Sequence, residues 1–252
     1  MAWNIVRHAF VIVFGNFTNA LRASVVPSLI LIAVIGVFAM TADLSIFDEG
    51  ANATEMSFTT MTILGMFGIG ALAMVVFAWV AVTWHRFILL EEYPAIVPAF
   101  GGRPILPYAG RTLMIALQMI FVMIPVMLLV GPFLTFSATT ASLVTLGLGI
   151  FLSFLWLRVC VSLPSVAVGE HMGSVAAWRT TSDIWQTILG VCAITTLLNY
   201  GANLAITLIA SNLGFVFDIL HIAVQWVSMM VGISILTTIY GHVVEGRPLA
   251  GT

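Results

Sequence analysis

The sequence predicts an all-α fold: an integral membrane helical bundle of six transmembrane helices, with two further amphipathic helices at the membrane interface. Composition is the first observation behind this prediction, because 61% of the 252 residues are hydrophobic and only 7% are charged. Roughly 25% of the residues in a soluble domain are charged. This chain has too few charged side chains to cover a water-facing surface, so most of its surface is expected to face lipid.

Hydropathy along the chain is the second observation. Six apolar stretches reach the ~20 residues that a helix needs to cross a hydrocarbon core ~30 Å thick. They lie at about residues 25–41, 60–83, 112–134, 142–162, 187–209 and 216–240. The connections between them are short, so residues 1–252 are predicted to form a single transmembrane domain.

The third observation is that the charges segregate. With six spans, all eight basic residues fall on one side of the membrane: Arg7, Arg22, Arg86, Arg103, Arg111, Arg158, Arg179 and Arg247. The other side receives the acidic residues Asp43, Asp48, Glu49, Glu55 and Asp218. Because positive charge is enriched in cytoplasmic loops, we expect a bacterial inner-membrane protein of a Gram-negative cell, with both termini in the cytoplasm.

The first element, residues 1–22, predicts an amphipathic helix rather than a cleaved signal peptide. Its polar residues share one helical stripe, and its aromatic residues lie away from that stripe. The stripe consists of Asn4, Arg7, His8, Gly15, Asn19 and Arg22. A helix of this kind lies in the membrane interface.

The second span ends at the segment WHRFILLEEYP. A run without charge over residues 56–84 stops at His85 and Arg86, and Trp84 beside them fits the aromatic belt at the headgroup level. Arg86 is therefore predicted to mark the cytoplasmic surface. The third and fourth spans then form an inserted helical hairpin over residues 105–163.

Several polar residues on the predicted cytoplasmic side form a candidate site: His85, Arg86, Glu91, Arg158, Glu170 and Arg179. They are interpreted as a structural charge network or as an anionic-lipid headgroup site. A metal site is disfavoured because no pair of ligands has the spacing of a known motif. Arg158 is expected to pair with a carboxylate of Glu170 or Glu91, and Arg179 with Asp183.

The last two spans carry a second candidate site near the opposite surface. Asn199 and Asn203 are spaced i, i+4 in the fifth span, and Asp218, His221 and Gln225 share one face of the sixth. These residues could form a polar pocket for a solute, a proton or a lipid headgroup. The favoured interpretation is that they form hydrogen bonds that hold the two helices together.

Residues 173–185, GSVAAWRTTSDIW, resemble the N-terminal helix in being short, amphipathic and placed before a span. His85 follows Arg22 by 63 residues, and His242 follows Arg179 by the same interval. This spacing predicts an internal parallel repeat with units at residues 1–95 and 165–252. Cys160 and Cys192 lie in apolar runs and are expected to be packing residues.

Two segments also carry a family resemblance. WHRFILLEEYP and RVCVSLPSVAVGEHMGSVAAWRTT resemble a poorly characterised family of polytopic inner-membrane proteins of alphaproteobacteria. More distantly, they are similar to the membrane domain fused to bacterial glycerophosphodiester phosphodiesterases. The resemblance rests on Trp84, His85, Arg86, Glu91, Arg158, Pro164, Glu170, Ala177, Trp178 and Arg179. It implies a membrane protein. It does not imply the hydrolytic activity of those enzymes, since these 252 residues contain no soluble phosphodiesterase domain.

The chain contains no phosphate-binding Gly-rich loop with lysine, no HExxH or GxSxG motif, and no basic run for nucleic acid. We therefore expect a non-enzymatic protein without cofactor or metal. Its predicted role is a scaffold, lipid-interacting or accessory module, with membrane lipids and a larger membrane complex or homo-oligomer as partners. The alternative is a small-solute or lipid transporter that uses the polar pocket between the last two helices.

Overall fold

The structure is a computed structural model that describes residues 1–41, 60–210 and 212–248. Nine α-helices lie in these ranges, and a 3₁₀ helix, Gly131–Thr135, follows the fourth. They are α1 Ala2–Gly15, α2 Phe17–Thr41, α3 Thr60–Leu90, α4 Ile105–Val130, α5 Ala138–Cys160, α6 Ser162–Val168, α7 Ser174–Thr180, α8 Trp185–Ala210 and α9 Phe215–Val243. The predicted all-α fold is confirmed.

Six helical segments are long and apolar enough to cross a membrane. They are Phe17–Met40, Thr60–Leu90, Ile105–Thr135, Ala138–Val168, Trp185–Ile209 and Phe215–Val243. Each coincides with one of the six predicted stretches to within a residue or extends beyond it, so the predicted spans are confirmed. Most segments are longer than predicted because a helix does not stop where its apolar run stops. The second segment, for example, continues through His85 and Arg86 to Leu90.

The first helix, α1, packs against α8 and α9. Its side chains Ile5, Val6, Ala9 and Val13 are fully or almost fully buried, whereas Trp3 is more than half exposed. After α1 the chain turns at Asn16, whose side-chain amide donates to the Ile12 carbonyl at 3.0 Å. This turn lets α1 lie against the bundle while α2 departs as a span.

The segment predicted as the second amphipathic helix is shorter than expected. α7 has seven residues and packs mainly on α5. Gly169 precedes it with φ 90°, a left-handed conformation that ends α6 and reverses the chain. α1 and α7 therefore differ in length and in packing, and the repeat-like units at 1–95 and 165–252, with the hairpin 105–163 between them, stay a prediction.

The buried core lies at one end of the bundle. The largest fully buried side chains include Trp84, Tyr108 and Tyr240, which come from α3, α4 and α9. Apolar side chains nearer the other end are largely exposed; Phe67 and Phe121 are 75% and 77% exposed. Because lipid is apolar, these side chains need no protein partner.

Arginine side chains converge at the same end as the core. Arg86 donates to the Ala167 carbonyl, Arg111 to the Met172 carbonyl and Arg247 to the Leu89 carbonyl. These bonds join the cytoplasmic ends predicted for α3, α4, α6 and α9. The predicted acidic loop, residues 43–55, lies outside the described residues.

Candidate functional site

The candidate cytoplasmic site contains a buried hydrogen-bond network between α3, α4 and α9. The Trp84 indole Nε1 donates to Ser234 Oγ at 2.8 Å. His85 Nδ1 lies 2.8 Å from Thr237 Oγ1, and His85 Nε2 lies 3.2 Å from the Tyr108 hydroxyl. His85 is 0% exposed. The histidine is thus enclosed and has a partner on both nitrogens.

The protonation of His85 follows from these partners. The Thr237 hydroxyl donates to the Ile233 carbonyl at 2.9 Å, so it accepts from His85 Nδ1–H. His85 Nε2 then accepts from the Tyr108 hydroxyl. This assignment makes His85 a neutral imidazole with no free nitrogen. His85 is therefore placed to hold helices together rather than to bind a headgroup or a metal.

Small residues on α9 allow α3 to approach closely. Ser234, Thr237, Thr238 and Gly241 follow i, i+3, i+4, i+7 and so share one face of the helix. All four are buried. Such a stripe is typical of helix contacts within membranes. The sequence analysis did not include Ser234, Thr237, Tyr108 or Tyr240 among the site residues, and this stripe is the signal that could have identified Ser234 and Thr237.

Glu170 bonds to α9 instead of to an arginine. The Tyr240 hydroxyl donates to Glu170 Oε2 at 2.8 Å. The expected pairing of Arg158 with Glu170 or Glu91 is therefore wrong. Glu170 directly follows the left-handed Gly169, where the chain turns after α6.

Arg158 is 6% exposed and makes neutral contacts. Its Nε donates to Thr181 Oγ1 at 3.1 Å, and its Nη2 donates to the Trp178 carbonyl at 2.6 Å and to Ser182 Oγ at 3.3 Å. Its Cζ lies 3.7 Å from the centroid of the Trp178 ring. The last carbonyls of α7 carry partial negative charge, so they can replace a carboxylate as acceptors.

Arg86 pairs with Glu92 rather than with Glu91. Arg86 Nε and Nη2 donate to the two oxygens of Glu92 at 2.9 and 2.6 Å. Glu91 is exposed and has φ 56°, so the chain turns left-handed there and carries Glu92 back over the end of α3. Arg103 forms a second ion pair with Glu92.

Arg179 is exposed, and the expected pair with Asp183 is not formed. The ion pairs in the described ranges are Arg86–Glu92, Arg103–Glu92 and Arg247–Glu245. The predicted cytoplasmic set thus separates into three groups. His85 lies in the core, Arg86 lies near the end of α3 and pairs with Glu92 of the following loop, and Arg158 lies beside α7.

A small cavity, here called the loop pocket, lies beside Arg86. Its volume is about 160 Å³, and its walls include the side chains of Thr83, Arg86, Glu92 and Arg103. Loop residues 93–95 and 97–99 complete the walls. Burial, together with the charge of Arg86, lowers the pKa of the Arg103 guanidinium.

The polar residues of the last two spans are brought together only in part. Ser228 Oγ donates to Asn199 Oδ1 at 2.6 Å and joins α9 to α8. Asn203 donates to the Asn199 carbonyl at 2.8 Å within α8. Asp218, His221 and Gln225 are exposed and do not line the cavity between these helices. The contact between the helices therefore comes from Asn199 and from Ser228, which the sequence analysis missed.

A cavity beside these residues, here called the apolar groove, has a volume of about 520 Å³. It lies between α1, α5, α8 and α9. Most of its lining is apolar, including Phe10, Trp156, Leu157, Val191, Val227 and Ile235. Its polar lining residues are Ser153, Cys192, Thr195, Asn199 and Ser228.

The fold and these sites define a class: a six-span α-helical membrane protein with a buried hydrogen-bond network at one end and an apolar groove between its helices. Within the described ranges, no group of three or more His, Cys, Asp or Glu side chains is placed to hold a metal ion. No protein-family model, no curated protein and no solved structure matches this chain. The functional proposal therefore rests on the arrangement of this chain's own residues.

Proposed function

We propose that the protein is a non-catalytic lipid-interacting module of the bacterial inner membrane, which holds one hydrocarbon chain of a membrane lipid in the apolar groove. The single observation that carries this proposal is the groove, because it is elongated, apolar and built from spans. In this proposal the lipid-filled bundle serves as a scaffold or accessory part of a larger membrane complex or homo-oligomer. The resemblance to alphaproteobacterial inner-membrane proteins supports the same location.

The dimensions of the groove favour a single chain. Its lining extends along α9 from Leu220 to Ile235, a length of ~22 Å at 1.5 Å per residue. One leaflet of the hydrocarbon core is ~15 Å deep, so the hydrocarbon chain of a lipid in one leaflet fits within the length of the groove. A volume of about 520 Å³ over this length gives a width of roughly 5–6 Å, suited to one chain in contact with its walls. A helix ~10 Å across would occupy ~1,700 Å³ over the same length.

The polar groups of the groove favour a hydrocarbon over a polar solute. Ser153, Thr195, Asn199 and Ser228 each donate a hydrogen bond within the protein. The buried side-chain atoms without a partner in the described ranges are Trp79 Nε1 and Ser174 Oγ, and neither residue lines the groove. A polar solute would lose its water and find few free donors, because the three hydroxyl protons and one of the two Asn199 amide protons already have acceptors. Because the polar side chains of the groove already have hydrogen-bond partners, the groove is poorly suited to a polar solute. This weighs against the alternative, a solute transporter.

Gly232 provides a direct test. It lines the groove, and a Cβ atom added there would meet no atom within 4 Å. Gly232→Leu should therefore begin in open space and extend into the groove. Gly201→Leu is the matched control, because Gly201 on α8 also has open space around it but does not line the groove.

The measurement is photo-crosslinking with a phospholipid that carries a photoreactive group in its acyl chain, followed by peptide mapping. The wild type should be labelled on groove-lining residues of α5, α8 and α9. Gly232→Leu should reduce this labelling several-fold, and Gly201→Leu should leave it unchanged. Equal labelling of both variants, or labelling spread evenly over the spans, would contradict the proposal.

A further inference from the structure

The loop pocket is built by a loop with a fixed shape. Residues 91–104 connect α3 to α4, and Pro94 and Pro98 of this loop are buried. Proline restricts the backbone, and burial of both rings ties the loop to the end of α3. Phe87 and Tyr93 add a ring contact between helix and loop, with centroids 5.2 Å apart. The pocket walls are therefore held by packing.

The charges on the pocket wall are not balanced. Arg86 and Arg103 share the carboxylate of Glu92, so these three side chains carry a net charge of one positive unit. Glu91 is exposed and does not line the pocket, and Thr83 donates its hydroxyl proton to the Trp79 carbonyl. Burial first, and then the nearby charge of Arg86, lowers the pKa of the Arg103 guanidinium.

We propose that the loop pocket binds a phosphate-class oxyanion through the guanidinium N–H groups of Arg86 and Arg103 that Glu92 and the Ala167 carbonyl leave free. Guanidinium groups present planar pairs of N–H donors that match phosphate oxygens. A volume of about 160 Å³ is the space of about five waters, which is enough for one phosphate group. The pocket follows the end of the second span, where a lipid phosphate would lie if this end of α3 meets the membrane surface.

This inference goes beyond the proposed function, because no residue of the loop pocket lines the apolar groove. The two proposals can therefore fail separately. Gly232→Leu should change chain labelling without changing phosphate binding, and substitutions in the loop pocket should do the reverse.

The experiment uses delipidated full-length protein in a neutral detergent. Thermal stability is titrated in separate arms with inorganic phosphate, with phosphatidylglycerol and with diacylglycerol, which lacks a phosphate. Stabilisation by phosphatidylglycerol but not by the other two identifies a lipid headgroup. Stabilisation by inorganic phosphate as well identifies the free anion as a ligand. If neither phosphate source stabilises the protein more than diacylglycerol does, the proposal is wrong.

Variants then locate the site. Arg103→Gln should weaken phosphate-dependent stabilisation roughly 10-fold in apparent affinity, as expected for the loss of one charge-assisted contact. Arg179→Gln is the control, since Arg179 is an exposed arginine near the same end and does not line the pocket. Ala99→Leu should fill the pocket without removing a charge and should weaken binding too. Equal effects of Arg179→Gln and Arg103→Gln, or no effect of Arg103→Gln and Ala99→Leu, would overturn the proposal.

Discussion

His85 shows at the scale of one residue how a polar side chain becomes a stabilising part of a membrane-spanning helix. It connects α3 to α4 and α9 through the Tyr108 and Thr237 hydroxyls. Both neighbours are buried, so water cannot replace a lost bond. A substitution at this position therefore leaves a hydroxyl without its acceptor.

We predict that His85→Leu lowers the free energy of unfolding by about 1–2 kcal/mol, because the Tyr108 hydroxyl loses its acceptor in an apolar environment. Adding Tyr108→Phe should recover part of this loss, since it removes the stranded donor. Thermal or chemical unfolding in detergent measures both effects. Full additivity of the two substitutions would show that the residues are not coupled.

Arg158 is predicted to be a structural anchor. Arg158→Ala should reduce folded yield and lower stability by about 1–3 kcal/mol, since it removes three hydrogen bonds at the end of α7 and the stacking on Trp178. Glu170→Gln should not rescue the variant, because Glu170 bonds to Tyr240. A variant with normal stability and abundance that abolishes a cellular phenotype would place Arg158 among functional residues instead.

The sequence indicated that His85 and Arg158 are important, but it did not indicate which residues they contact. A polar side chain inside a long apolar run is conspicuous in any hydropathy profile. The partner of such a side chain depends on the path of the backbone after the helix ends. A single residue in the left-handed conformation can change that path. The positive φ of Glu91 moves Glu92, rather than Glu91, onto Arg86.

At the scale of elements, the most consequential packing is that of α1 on α8 and α9. Hydropathy identifies the six spans because membrane thickness sets their length. It does not indicate which faces meet, since an apolar side chain is equally well accommodated by lipid and by protein. The burial of Ile5, Val6, Ala9 and Val13 is therefore a result of the structure rather than of the sequence pattern.

Ala9 offers a test of this packing, because it is 0% exposed on the buried face of α1. Ala9→Leu should lower stability by about 1–3 kcal/mol through overpacking. Val11→Leu is the control on the exposed face of the same helix, and its effect should stay within ~0.5 kcal/mol. Thermal melting in detergent compares them, and equal melting temperatures would mean that α1 does not pack on the bundle.

At the scale of the whole molecule, the converging arginines support one orientation in the membrane. We predict that both termini and residues 86–111 face the cytoplasm and that residues 43–55 face the periplasm. Single cysteines at Gly101 and Glu49, in a background with Cys160 and Cys192 replaced, test this with an impermeant thiol reagent in intact spheroplasts. Residue 49 should react and residue 101 should not; the reverse pattern would require an inverted topology.

The buried core is confined to the arginine-rich end of the bundle, so the helices are held together mainly at that end. Buried residues of α9 lie in Met230–Gly241, and the preceding half of that helix has none. The apolar groove extends into this loosely packed half, as far as Leu220. Local separation there breaks few contacts, so its free-energy cost is low. A lipid chain could therefore enter the groove from the side, between the loosely packed halves of the helices. The His85 network meanwhile holds the other end of the bundle together.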